Sequence, residues 1–410
     1  MAKVRGSRRP AAPTLFDGGD TDSATTVADV FDGARLTQVR QLRGLTKRAI
    51  SDLIGVSPAA IGQYEAGTIS PRPDHIVSLA ENLNVPVKFF AFKVGRPRIL
   101  LDVSLAHFAS LRSMRAGERE RAVRFVEKVG EVTAALERHV RLPKVDLPGW
   151  SGDGEDYENC TAPASAARMI RRYWGLGTQP IPHVVRLLES KGIVVTLLPF
   201  SDSGRVNAFS CSKQLPKPVV ILTRDKDDVY RHRFKAAHEL GHLVMHGNAQ
   251  PGDIEHERAA DAFAAEFLMP SASVMAQLPS RPNFTTYSRI QGEWGVSIDS
   301  VIYRSRELGL LGDVSYRRAW QKLKELQSAE IVTPEPIVSH QGEVPVLLKR
   351  ALQLTADRGW SLQKLADELA LYPDEVAGYV GEDESTLPEV NVIDMAEWRG
   401  QRRNAAVETM

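Results

Sequence analysis

Apolar residues near the front of the chain recur at helical spacing and then stop abruptly on glycine or proline. Over residues 45–65, Ile50, Leu53 and Ile54 fall on the inner side of one short helix, and Ile61 on that of a second. Thr46 stands where the first helix needs a cap, and Gly55 where the chain needs a left-handed turn residue. Val56 plugs the corner. Ser57 caps the second helix, and Pro58 occupies its first turn, where a missing N–H costs nothing. Ser51 is small where the two helices must cross closely. This pattern predicts a helix-turn-helix, which offers its second helix to a DNA major groove.

Short helical patterns continue through residue 92. Residues 112–142 read as one long charged helix with a loose apolar stripe of Leu111, Val123, Val126, Val129, Val132 and Leu136. Helices are expected over 164–173 and 184–190, buried strands over 193–198 and 219–222, and helices over 231–245 and 257–268. Met269-Pro270 stops the last of these. Residues 310–327 are helical. After a proline break at 334–336, residues 345–381 form a small helical unit. Within it, residues 361–380 have a second helix–turn–helix rhythm, with Ser361 as a cap and Leu365, Leu369, Leu371 and Val376 inward. No internal repeat or heptad array stands out.

Composition narrows the class. The 410 residues imply two or three domains, and 43% hydrophobic with 25% charged residues excludes collagen-like, wholly disordered and disulfide-stapled chains. Cys160 and Cys211 are far apart and fit a reducing cytosol. The basic start is followed by Pro10 and polar residues, so no signal peptide is expected, and no apolar run is long enough for a membrane span. A cytoplasmic protein follows as the expectation. The net charge of +1 hides an asymmetry. Residues 33–100 carry 10 Lys+Arg against 4 Asp+Glu, and residues 311–410 carry 11 against 17. The basic front suits nucleic acid; the acidic rear reads as a packing or protein-interaction module. Residues 1–32 read as a disordered arm and residues 143–156 as an exposed linker.

The sharpest chemical signal is His238-Glu239-Leu240-Gly241-His242. On a helix, residues four apart share a face, so both imidazoles can aim at one Zn²⁺, and Glu239 sits where a base for an activated water belongs. Leu240, Leu243, Val244 and Met245 make the surrounding helix apolar. A catalytic zinc needs a third protein ligand. His246 continues the same ladder, but one straight helix cannot wrap three ligands around an ion, so it reads as structural. On the next helix, Glu255 and Glu266 point away from the apolar stripe. His256 and Glu257 flank the stripe on opposite sides, and periodicity does not separate them. Asp261, one turn beyond Glu257, offers a carboxylate to the free N–H of a ligating histidine, which favours Glu257. Arg231, His232 and Tyr287 are the residue types available to stabilise an oxyanion.

The front, from Arg35 through residues 67–90, resembles the XRE (Cro/repressor-like) family. The resemblance implies base contacts from Ser57, Ala59 and Gln63 and phosphate contacts from Lys47 and Arg48. Pro58 and Ala59 replace longer polar side chains common in that family, Lys47 stands where it usually has Gln, and only Gln63 can make a bidentate adenine contact. The middle resembles the ImmA/IrrE family of metallopeptidases, whose ligand arrangement is similar to that of the gluzincins. The motifs are Trp174-Gly175-Leu176-Gly177, Asn207-Ala208-Phe209-Ser210, residues 237–246, residues 257–270 and Trp294-Gly295-Val296-Ser297. That family commonly has an acidic residue where Asn207 stands, and often Asn where Asp261 stands. The resemblance implies zinc on His238, His242 and Glu257, with Glu239 as catalytic base. It also implies cleavage of a helix-turn-helix repressor, or self-cleavage at the linker, to control transcription.

The expected architecture is multidomain and mainly α, with an α+β metallopeptidase domain. It comprises an arm (1–32), an all-α helix-turn-helix domain (33–92), a helical connector and linker (93–156), a gluzincin-like zinc domain (157–330) and an acidic helical C-terminal module (331–410). Expected partners are double-stranded DNA and a protein substrate, with no membrane. Dimerisation is expected by analogy with helix-turn-helix proteins that read paired half-sites. The alternative is a non-proteolytic regulator whose zinc domain is a sensor or scaffold, but an intact Glu239 favours the enzyme.

Overall fold

Capping residues decide where the front helices begin. The helices are α1 (Gly19–Asp29), α2 (Gly33–Leu42), α3 (Lys47–Ile54), α4 (Pro58–Glu65) and α5 (Pro73–Leu83), followed by a 3-10 turn at Val87–Phe90. The Thr46 hydroxyl accepts from the Ala49 N–H and the Ser57 hydroxyl from the Ala60 N–H, each at 3.1 Å. Gly55, at φ 73°, turns the chain between α3 and α4. Ile50, Ile61, Ile76, Leu79, Leu83, Phe89 and Phe90 form the core. Leu53, expected inward, is 38% exposed. At 100° per residue it lies about 110° from the face centred on Ile50, Ser51 and Ile54, at the margin of the helix contact.

The computed structural model describes residues 19–92, 96–102, 115–148, 150, 162–199, 208–212, 214–223, 227–246 and 253–381. These divide into two compact units, one of residues 19–41 and 45–92, the other of residues 42–44 and from 96 onward. The stretch expected to be a disordered arm carries α1, whose Ala24 and Val27 are buried and which packs on α5 and the 3-10 turn. Residues 1–18 lie outside the described residues, as do Cys160, Asn207, Trp398 and residues 151–161 of the region around the expected linker.

The second unit contains α6 (Ala116–Glu137), α7 (Pro163–Tyr173), α8 (Val184–Ser190), β1 (Val194–Leu197), β2 (Ala208–Cys211) and β3 (Val219–Leu222). There follow α9 (Val229–Met245), α10 (Ile254–Leu268), α11 (Ser271–Val274), α12 (Phe284–Trp294), α13 (Ile298–Glu307) and α14 (Asp313–Ser328). The unit closes with α15 (Leu347–Ala356), α16 (Leu362–Leu369) and α17 (Pro373–Val380). The sheet runs β1-β3-β2. β1 lies parallel to β3, pairing Val194 with Val219, and β2 lies antiparallel to it, pairing Ala208 with Leu222. β2 is thus an edge strand, and α9 packs across it.

Two buried ion-pair hubs hold the helices around α9. Arg233 donates to the carbonyls of Gly295 (2.7 Å), Pro182 (2.9 Å) and Ile181 (2.6 Å) and pairs with Glu343. Glu343 in turn accepts from the Val184 and Val185 N–H groups, capping α8 from a distant part of the chain. Glu266 pairs with Arg304 and accepts from the Ser271 hydroxyl. This accounts for Glu266 as a structural carboxylate facing away from the metal candidates.

The expected charged connector is the largest departure. α6 ends at Glu137 rather than at residue 142, Leu111 and residues 112–114 lie outside the described residues, and from Ala122 to Leu136 the helix is buried on nearly every side. Val123, Phe125, Val126, Val129, Val132 and Leu136 are joined inside by Arg124, Glu127, Lys128 and Glu131. Burying these charges is tolerable because they are paired and hydrogen-bonded. Arg124 bonds Glu127, and Lys128 bonds Glu131 at 3.0 Å. Glu127 also accepts from the Leu101 N–H and Glu131 from the Ile99 N–H. Among the described residues, the main partners of α6 are α15, α16, α17 and β3.

The rear helices repeat the front turn in shape, although no sequence repeat is visible. α16 and α17 match α3 and α4 in length. Ser361 caps the first, Ala370 takes the left-handed position of Gly55, and Pro373 takes the first-turn position of Pro58. Leu365, Ala366, Val376 and Tyr379 are buried at the places of Ile50, Ser51, Ile61 and Tyr64. In α17, however, Glu375, Val376, Ala377, Tyr379 and Val380 are buried, with α6 and α16 as its main neighbours. The geometry serves packing here.

Candidate functional site

Asp228 caps α9 by accepting from the Tyr230 N–H at 3.0 Å, and Asp253 caps α10 by accepting from the Glu255 N–H at 2.9 Å. The two helices touch closely at Gly241, where an added Cβ would lie 3.0–3.3 Å from the Phe263 side chain. Glycine in the middle of the paired-histidine motif therefore lets α10 approach.

The close approach brings three groups together. His238 Nε2 and His242 Nε2 are 3.0 Å apart, His238 Nε2 and Glu257 Oε2 are 3.5 Å apart, and His242 Nε2 and Glu257 Oε1 are 3.2 Å apart. Ligands at 2.0–2.1 Å around a tetrahedral ion are separated by about 3.3 Å. The three distances describe one face of such a tetrahedron, so these residues fit a zinc ion. Both histidines turn their other nitrogen outward. His238 Nδ1 lies 2.8 Å from Asp261 Oδ1, and His242 Nδ1 lies 3.1 Å from His246 Nδ1. His246 and His256 lie against each other, ring centroids 4.4 Å apart, and His256 does not join the cluster. Glu255 is exposed and pairs with Arg258.

Electrostatics agree with the geometry. Burial opposes a charge on His238, but hydrogen bonds to Asp261 and Glu257 outweigh it and push the imidazole up to about 10. Burial would raise Glu257, yet the two histidines pull it down to about 2. Glu239 is enclosed, and desolvation raises its pKa against the pull of both histidines. Its Oε2 accepts from the Ser210 hydroxyl at 2.8 Å. Sequence reasoning assigned Ser210 no role. Its position on the edge strand matters only once β2 lies across α9.

A cleft of about 400 Å³ opens over this cluster, lined by Arg231, Phe234 and Lys235 of α9, Ala208 of β2, and Ser297, Asp299 and Ser300 at the start of α13. Of the three residue types considered for an oxyanion, Arg231 lines the cleft. His232 is buried against the Glu343 carbonyl at 3.0 Å, and Tyr287 is fully buried.

In the front unit, Lys47, Arg48, Ser57, Ala59 and Gln63 are all exposed. Lys47 Nζ lies 3.1 Å from Glu65, so its charge is partly spent within the domain, and the Ser57 hydroxyl is engaged in capping. Arg48 and Gln63 are the polar side chains left to reach a nucleic acid.

Residues 36–90 match the family model described as helix-turn-helix, and residues 188–306 match the one described as the IrrE N-terminal-like domain, a peptidase family. No curated protein matches the chain. Among the described residues, no helix is long and apolar enough to cross a membrane. The chain thus joins an XRE-type helix-turn-helix domain to a peptidase-family domain of the IrrE N-terminal kind.

Proposed function

We propose that the protein is a cytoplasmic, DNA-binding regulator whose second unit is a zinc-dependent endopeptidase. It cuts a helix-turn-helix repressor, or its own chain, and so controls transcription. The observation that carries this reading is the tetrahedral spacing of His238, His242 and Glu257 beside a buried Glu239 in an open cleft. The helix-turn-helix match supports double-stranded DNA as a partner.

His238, His242 and Glu257 would hold the ion. When bound, zinc supplies the Lewis acidity that polarises a peptide carbonyl and acidifies water. Glu239 takes the proton from the attacking water and passes it to the leaving amine. Its burial makes it a stronger base than a solvated carboxylate, and Ser210 fixes one of its oxygens. Asp261 orients His238 and holds it in the tautomer with Nε2 unprotonated. Arg231, at the cleft wall, is placed to meet charge on the substrate.

The test compares new protein N-termini in bacterial cells expressing wild type or Glu239→Gln. Glu239→Gln should keep its zinc and cut nothing, whereas His238→Ala should lose both. A fragment made only by wild type names the substrate. Equal fragments from wild type and Glu239→Gln would remove Glu239 as the base. Identical termini under zinc-loaded, DNA-bound conditions would favour a sensor or scaffold instead.

A further inference from the structure

Away from the metal cleft, the second unit has another pocket, of about 460 Å³, formed by the loop after α6 and by Lys217. The loop is anchored from within. Val140 and Leu142 are buried, the Pro143 carbonyl accepts from Lys217 Nζ at 2.6 Å, and the backbone at Lys144 lies hard against Gly192. A Cβ on Gly192 would sit 2.4 Å from the Lys144 carbonyl oxygen. Arg141 and Lys144 project from this fixed backbone and are exposed. Among the described residues neither has an acidic partner.

The carboxylates nearby are already engaged. Lys217, 6% exposed, lies 3.1 Å from Glu137, and Arg138 lies 2.7 Å from Glu368. His139 stacks on Trp360 with centroids 3.9 Å apart and has its Nε2 3.5 Å from Glu368. Four cations thus face two carboxylates, leaving two positive charges uncompensated on a preorganised wall.

We propose that this pocket binds phosphate, contributed by a free phosphate-bearing compound or by a nucleic-acid backbone. A phosphate dianion matches two uncompensated cations, which one carboxylate does not, and its oxygens suit the planar fork of Arg141 beside the point charge of Lys144. Lys217, neutralised by Glu137, lines the pocket beside them and holds its backbone through the Pro143 carbonyl.

The experiment uses the full-length protein and Arg141→Gln/Lys144→Gln, with Arg141→Gln alone as a second variant; both side chains are exposed, and melting curves check the fold. Inorganic phosphate is titrated at low salt by calorimetry. The double variant should bind at least tenfold more weakly; any binding it retains belongs elsewhere. In parallel, affinity for a random-sequence DNA duplex is measured against salt. Each lost backbone contact lowers the slope of log K against log salt by about 0.9. Weaker phosphate binding with an unchanged slope assigns the pocket to a free compound. A slope lower by about 2, with or without phosphate binding, assigns it to nucleic acid. Equal phosphate binding and equal slopes in wild type and both variants would overturn the proposal.

Discussion

Replacing Asp261 with alanine isolates the carboxylate behind the first histidine, and it can be tested before any substrate is known. Asp261 Oδ1 lies 2.8 Å from His238 Nδ1, and its side chain is 49% exposed. A hydrogen bond to a charged group contributes about 1.5–3 kcal/mol. Half-exposure leaves the carboxylate partly solvated, which reduces this to about 1–2 kcal/mol. With about 1.4 kcal/mol per factor of ten, zinc should bind about 5- to 30-fold more weakly to Asp261→Ala. The assay is competition with a chelator of known affinity on purified full-length protein. Alanine is a good helix former at this α10 position, so the fold should be retained. Asp261→Asn keeps an oxygen acceptor and should stay within about fivefold of wild type. An affinity of Asp261→Ala within about twofold of wild type would refute the orienting role. A loss as complete as that of His238→Ala would make Asp261 a ligand and refute the tetrahedral assignment.

Three further outcomes follow. The metal-free His238 has its pKa raised to about 10, from an ordinary value of 6.5, so between those limits folding retains a proton that zinc must displace. Zinc uptake near pH 8 should therefore release about one proton, seen by calorimetry in buffers of different ionisation enthalpy, and affinity should rise as pH rises; zero release would contradict it. Ser210→Ala should leave zinc affinity unchanged and lower kcat about 10- to 100-fold on whatever peptide the N-terminus screen identifies, with unaltered turnover as the contrary result. Phe125→Ala, a deletion in the 1%-exposed core of α6, should cost about 3–5 kcal/mol and unfold α15–α17 together with α6 in one transition; separate melting would show the rear helices to be independent.

Features set by neighbouring residues were readable from the chain alone. The α3–α4 turn follows from Thr46, Gly55, Ser57 and Pro58, each acting within a few residues of itself. The paired histidines follow from helical spacing. Periodicity could not rank Glu257 over His256, because the choice depends on how α10 lies against α9 at Gly241. Nor could it reveal α6 as a core helix. Arg124, Glu127, Lys128 and Glu131 belong to a stretch that reads as one long charged helix, and their mutual pairing and the Ile99 and Leu101 N–H groups help to permit their burial. Ser210 was invisible for the same reason: its partner Glu239 is brought to it by strand-on-helix packing.

The burial of α6 by the last helices also sets an order of events during synthesis. The front unit is compact within residues 19–92, so it can fold soon after it leaves the ribosome. α6 ends at Glu137, but three of the helices that cover it begin only at Leu347. At about 5–20 residues per second, translation needs on the order of ten to forty seconds to supply them. During that interval the nascent chain carries a formed DNA-binding domain tethered to an unfinished peptidase. A chain cut short before Leu347 would keep the helix-turn-helix unit while leaving α6 without the three helices that cover it.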